Sequence, residues 1–386
     1  MRDARFDEGR LSRALAGRRI LLTGHTGFKG GWLALWLRRL GADITAVALL
    51  PRDREPSFFE AAGVAELVDH RICDIRDEAA FLRTVEDCDP QLVIHMAAQA
   101  LVRPSYAAPV ETLHTNVVGT AVVLEAARRF ASLKGVIVVT SDKCYENRGW
   151  PWGYRETDRM GGSDPYSVSK GCAELVVEAY RRSFFREPGS PVLATVRAGN
   201  VFGGGDWAVD RLVPDIVRAV EAGKPVQIRN PHSVRPWQHV LDPLAGYLML
   251  AAGLVEGDRG LEGGWNFGPD SEATADVATL AALLERAWGP RGPQFLFGDT
   301  HDSPPEAQVL RLDSTKAHTL LGWRPRLALE DAVALTVEWY SAALDGNRRL
   351  RALSERQIDR YVRGVCPAPS LGTSFDPVFG VAAACA

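Results

Sequence analysis

The chain is poor in the features that mark several common protein classes. It has six cysteines in 386 residues, at positions 73, 88, 144, 172, 366 and 385, and no C-x-x-C pair. That spacing excludes the usual zinc and redox motifs and gives no reason to expect a disulfide scaffold. No metal site is expected. Neither sign of charge dominates: 45 lysines and arginines face 48 aspartates and glutamates, a net charge of -3. Nucleic-acid binders usually carry a basic excess, so that partner class is set aside. No apolar run approaches the ~20 residues that span a bilayer. Residues 1–16 are charged and lack the apolar centre of a signal peptide. No internal repeat is visible. A cytoplasmic protein with free thiols is the expectation.

What is present is alternation. Residues 18–23, 43–49, 66–72, 91–95, 135–139 and 192–197 read as strands, with helical patterns between them. Such alternation predicts an α/β protein built on a doubly wound parallel sheet of the Rossmann type. After residue 199 the pattern becomes mixed. Helices are expected at 211–222, 242–252, 276–287, 313–321 and 329–343, short strands at 225–228 and 264–267, and a polar loop at 230–238. The reading is a dinucleotide-binding domain at 17–198, with returning segments near 233–265. A smaller mixed α/β substrate-binding lobe follows at 199–350, partly interleaved. Residues 365–386, rich in Pro, Gly and Ala, read as a tail.

The first strand runs into Gly24-His25-Thr26-Gly27-Phe28-Lys29-Gly30, ahead of a helix expected at 31–40. Glycines spaced G-x-x-G-x-x-G let backbone approach a pyrophosphate, whose charge the helix N-terminus attracts. The second strand would end near an acid that bonds the adenosine ribose. Asp53 is available there, but Arg52 and Arg54 flank it, so NAD and NADP both stay open. Asp74 follows the third strand and suits either an adenine amine or a helix N-cap. Ala97 and Ala98 follow the fourth, small enough for a flat ligand to approach. The helical pattern at 110–130 is apolar over a wide arc. It is expected to be buried twice, against the sheet and against a partner subunit in a homodimer or higher homo-oligomer.

The fifth strand delivers Thr140-Ser141-Asp142-Lys143, and a helix then begins near Asp164-Pro165-Tyr166. Tyr166 and Lys170 are four apart and share a helical face. A free tyrosine titrates near ~10; to act as a base at neutrality it needs help worth about 4 kcal/mol, which a nearby cation can supply.

These motifs carry a resemblance. Residues 23–30 with Tyr166-Ser167-Val168-Ser169-Lys170 resemble the extended short-chain dehydrogenase/reductase family, whose members act on nucleotide sugars. Residues 141–147, 161–166, 199–201, 205–207 and 235–240 narrow the resemblance to its 4,6-dehydratases, among them those acting on CDP-glucose. It covers about residues 17 to 345. The resemblance implies a bound NAD, with Gly24, Thr26, Gly27, Phe28, Gly30, Asp74, Ile75, Ala97, Ala98, Asn116, Tyr166 and Lys170 at or around it. It implies a nucleotide-sugar substrate near Gln99, Arg103, Asn200, Arg211 and Arg235. Arginine suits a diphosphate because its planar fork bonds two oxygens at once; a surface ion pair is the plainer reading of each. It implies Tyr166 as base at the sugar 4-hydroxyl, aided by Ser141 and Lys170, and Asp142 as the acid at the 6-hydroxyl. Relatives acting on dTDP-glucose carry Asp-Glu where this chain has Asp142-Lys143. Lys143 is then either the base at C5 or a residue that orients Asp142. Two other readings stand beside this one: a sugar-nucleotide epimerase, disfavoured by the Asp142-Lys143 pair, and a silent NAD-binding regulator, disfavoured by the intact Tyr166 and Lys170.

Overall fold

Seven parallel strands make the frame. They are β1 (Arg19–Thr23), β2 (Asp43–Ala48), β3 (Asp69–Ile72), β4 (Leu92–His95), β5 (Gly135–Val139), β6 (Val192–Ala198) and a seventh, Gly263–Phe267. Their order is seventh-β6-β5-β4-β1-β2-β3. β1, β4 and β6 are almost wholly buried, as strands covered on both faces must be, and are mainly apolar, with Thr195 and Arg197 of β6 buried as well. The computed structural model describes residues 6–51, 56–228, 230–270, 275–298 and 310–364. Asp53, its flanking arginines and the 365–386 tail lie outside them.

The chain order reverses between β1 and β4. Open α/β sheets bind ligands outside the carboxyl ends of the strands at such a point. Here those ends carry Gly24 after β1, Met96 to Gln99 after β4, Thr140 and Ser141 after β5, and Gly199 after β6. His95 pins the junction: its ring bonds the Thr23 hydroxyl at 2.7 Å and the Thr120 hydroxyl at 3.1 Å.

Several elements differ from expectation. The third strand is shorter, because a 3-10 turn, Val64–Leu67, takes its first residues. The expected helix at 110–130 is three pieces: Pro109–Leu113, a π-helical turn His114–Val118, and Gly119–Ala127. Its burial is also uneven, since Val110 is 78% exposed and Val118 45%. Two stretches read as loop form strands instead, Asn200–Phe202 pairing with Trp237–His239. The short strand Gly263–Phe267 pairs with β6 at the edge of the main sheet. A C-terminal helix, Leu350–Arg363, was not anticipated. It buries Leu353, Ile358 and Tyr361, and the Tyr361 hydroxyl donates to Asp242 at 3.0 Å.

Three histidines are sealed in this core. Burial pulls His95 and His239 down to about 3; burial and the adjoining His70 pull His25 down to about 4. Unfolded histidine titrates near ~6.5. These rings are therefore neutral when folded and take up protons on unfolding in acid. Their contribution to stability is present above pH ~6.5 and lost as pH falls toward the folded values, by about 1.4 kcal/mol per pH unit for each ring. Denaturant midpoints should fall steadily between about pH 6.5 and about pH 5. A flat profile there would contradict the assignment.

Candidate active site

The glycine turn is shaped by contacts no side chain could share. Gly24 has φ of 82°, and a Cβ there would lie 2.6 Å from the Ala97 nitrogen. A Cβ on Gly30 would lie 2.1 Å from the Gly24 carbonyl oxygen. The turn feeds the helix Phe28–Arg39, whose N-cap, Gly27, contributes no side chain to its own first-turn amides. Those amides are a ready site for an anion. Thr26 ties the turn to the end of β2 through a 2.9 Å bond to the Leu49 carbonyl. The cradle therefore fits a dinucleotide. Gly30→Ala should weaken dinucleotide binding at least about tenfold, read by calorimetry, because the backbone must move to admit the methyl.

One cleft of about 1280 Å³ runs from this turn across the strand ends. Gly24, Thr26, Gly27, Phe28, Gly30, Asp74, Ile75, Ala97 and Ala98 line it. Ser141, Asp142, Lys143, Tyr166 and Lys170 line it as well, as do Gln99, Arg103, Asn200, Arg211 and Arg235. Asn116 stands behind the wall. Its amide bonds both the N–H and the carbonyl of Gln99 at 2.9 Å and the Ser169 hydroxyl at 2.8 Å, so it supports the site without lining it. Asp74 is no N-cap; it pairs with Arg76 at 2.7 Å, and Asp77 caps the next helix. The Gln99 amide is used by its own loop, bonding Leu101 and Thr112. Arg103 and Arg211 pair with Asp210 and Asp206 at 2.7 and 3.0 Å.

The cluster of Ser141, Asp142, Lys143, Tyr166 and Lys170 is held from two sides. Ser141 caps a short 3-10 turn, Asp142–Cys144, accepting from the Lys143 N–H and donating to the Asp142 carboxylate at 2.9 Å. Tyr166 sits in the first turn of the helix Pro165–Phe184, which Asp164 caps and Pro165 opens. Lys170, one turn on, donates to the Val139 carbonyl at 3.2 Å. Burial pushes the Tyr166 phenol up to about 12; a hydrogen bond with Ser141 and the charge of Arg211 pull it down, and Asp142 and Asp164 raise it. Ser141 and Arg211 are thus groups of this chain that draw the phenol toward ionisation. Burial raises the Asp142 carboxyl, against the pull of Lys143, Ser141 and Lys29, which suits an acid that must hold a proton. Burial lowers Lys170 to about 8, against Glu174 and Cys144.

Two residues escaped sequence reasoning. Lys29, inside the glycine turn, points into the cleft floor and donates to the Tyr247 hydroxyl at 3.2 Å. Burial, Arg211 and Lys170 lower it to about 7, while Asp142 raises it. The signal was a lysine within the glycine motif itself. Glu174 is the other. With Arg197 it forms a buried pair at 2.8 Å behind the cluster, and it accepts from Thr140 and Thr195 as well.

The model of the family described as GDP-mannose 4,6 dehydratase matches residues 21–336. The chain belongs to that family. A CDP-glucose 4,6-dehydratase of Salmonella typhimurium strain LT2 is 47% identical over 350 residues, 90% of this chain and 96% of the relative. The solved structure of MoeE5 in complex with UDP-glucose and NAD superposes with a TM-score of 0.69 at 25% identity, over 84% of this chain and 99% of that one. DesIV, a dTDP-glucose 4,6-dehydratase of Streptomyces venezuelae, shares the fold, with a TM-score of 0.71 at 23% identity over 86% and 99% of the two chains. Members of the 4,6-dehydratase family thus supply both the sequence and the fold that this chain resembles. Among its described residues, no helix is long and apolar enough to cross a membrane.

Proposed function

We propose that this 4,6-dehydratase converts CDP-glucose to CDP-4-keto-6-deoxyglucose and water. The observation that carries the reading is one cleft in which Ser141, Asp142 and Lys143 face Tyr166 and Lys170 beside a dinucleotide cradle. Tyr166 takes the proton of the sugar 4-hydroxyl, with Ser141 bonding the same oxygen. Lys170 and the glycine turn hold the cofactor, NAD, which when bound accepts the C4 hydride and returns it to C6. The 4-ketone acidifies C5, and Lys143 removes that proton. Asp142 protonates the 6-hydroxyl as it leaves. Arg211 and Arg235 hold the diphosphate, with Asn200 and Arg103 beside them. The CDP assignment rests on the 47% identical Salmonella relative.

The enzyme incubated with CDP-glucose in deuterated water should yield a 6-deoxy-4-ketone with deuterium at C5, read by mass and NMR spectroscopy. A C4 epimer formed without loss of water would instead support an epimerase and overturn the reading. No conversion of any nucleotide-linked glucose would also overturn it.

We also propose a homodimer. Tyr106, Val110, Leu113, Val168 and Leu175, from 38 to 78% exposed, are apolar residues on the helices beside the cluster, and such a surface fits a paired-helix interface. Monomeric sedimentation at micromolar concentration would contradict it. The expected compartment is the cytoplasm. The described cysteines, Cys73, Cys88, Cys144 and Cys172, are unpaired, in keeping with a reducing setting.

A further inference from the structure

Two arginines of the cleft already hold carboxylates, and the two pairs are built differently. Arg211 bonds Asp206 at 3.0 Å; the Asp206 side chain is only 4% exposed and also accepts from the Ala208 N–H at 3.1 Å. Arg103 bonds Asp210 at 2.7 Å, and there both side chains stand in solvent, 42% and 40% exposed. All four residues line the one cleft. The neighbouring acid, Asp215, is taken by Arg218.

The second pair joins two separate parts of the chain. Segment 206–211 is fastened at its start. The Tyr340 hydroxyl donates to the Asp206 carbonyl, and Arg218 donates to the carbonyls of Trp207 and Ala208 at 2.9 and 3.2 Å. Its end reaches the stretch that follows β4. Asp210 bonds Arg103, in the first turn of the helix Val102–Ala107, and Arg211 donates to the Ala100 carbonyl at 3.4 Å. Asp210 has φ of 59°, a left-handed backbone that aspartate and asparagine tolerate better than most residues with a side chain. An arginine fork bonds carboxylate and phosphate alike, and an exposed ion pair is weakly held.

We propose that Asp210 is a specificity-determining residue: its carboxylate occupies Arg103 in place of a phosphate, latching segment 206–211 across the cleft until the diphosphate of a sugar nucleotide displaces it. A ligand that carries a diphosphate exchanges one ion pair on Arg103 for another. A neutral ligand leaves the latch shut. Asp206 keeps its place on Arg211 because its side chain is buried and bonded twice. This inference rests on the nucleotide-sugar reading above.

The test is calorimetry of CDP and of cytidine with cofactor-loaded wild type, Asp210→Asn, Arg103→Gln and the double variant. Salt is held at about 0.15 M, which screens exposed charges beyond ~8 Å. Asparagine keeps the size of the side chain and suits the left-handed backbone, so the segment should fold as before. Asp210→Asn should bind CDP about three- to fivefold tighter, the worth of an exposed ion pair that no longer has to break. Cytidine should bind no tighter. In the Arg103→Gln background the same substitution should gain less than about twofold, because only screened repulsion is left to remove. An equal gain in both backgrounds would make Asp210 a diffuse negative charge, and no gain in either would mean that it does not compete. Either result overturns the latch and leaves the nucleotide-sugar reading standing. A wild type that binds no nucleoside diphosphate overturns that reading, and the latch with it.

Discussion

Lys143→Ala should abolish deuterium uptake at C5 and cut turnover about 1,000-fold, within the range a positioned base contributes. The first step should survive, because Tyr166, Ser141 and Lys170 remain. Reduced cofactor and an oxidised sugar would then accumulate on the enzyme, visible as near-ultraviolet absorbance that decays slowly. Lys29→Met is the matched control, since Lys29 is a second amine near Asp142. The two differ in place: Lys143 lies on the same 3-10 turn as Asp142, while Lys29 sits on the floor against Tyr247. If C5 exchange persists in Lys143→Ala and vanishes in Lys29→Met, the base has been assigned to the wrong lysine.

Glu174→Ala should destabilise the fold by about 3–5 kcal/mol, the usual loss when one member of a buried ion pair is removed. Arg197 would keep its charge with a side chain only 4% exposed. Burial alone would push Glu174 up, but Arg197 with Thr140 and Thr195 more than reverses this, so the carboxylate is held below its usual range. The double variant Glu174→Met with Arg197→Met should be less destabilised than Glu174→Ala alone, because no charge is stranded. Denaturant unfolding of the variants measures both. A loss under about 1 kcal/mol in the single variant would mean that water reaches the pair. The variant should also slow catalysis, since Glu174 favours the charged form of Lys170 from one helical turn away.

The sheet was legible because its strands are short apolar runs ended by glycine or polar residues, and each β-α step repeats that rhythm. The cluster was legible because its chemistry is local: Ser141 to Lys143 are consecutive, and Tyr166 and Lys170 share one helical turn. What stayed hidden depends on distant partners. Lys29 gains its character from burial and from Arg211 and Lys170, far along the chain, and its bond partner Tyr247 is 218 residues away. The pairing of Asn200–Phe202 with Trp237–His239 joins two stretches whose polar and turn-forming residues read locally as loop. The helix Leu350–Arg363 is rich in charge, and its narrow stripe of Leu350, Leu353, Ile358 and Tyr361 joins the core through partners far back in the chain, such as Asp242 for Tyr361 and Arg39 for Asp359.

The π-helical turn at His114–Val118 means that this stretch carries one residue more than a regular helix would hold. Removing a single residue there would let the turn close into ordinary α-helix, with the flanking helices kept near their places and the turn itself redrawn. Asn116 would swing off the Gln99 backbone, and the loop after β4 would lose its clasp. A deletion is usually the gentler lesion in a surface loop. Here, in a turn whose Thr115 lines the cleft and whose Asn116 backs its wall, one missing codon should disturb the cleft while leaving Ser141, Asp142, Lys143, Tyr166 and Lys170 in the sequence.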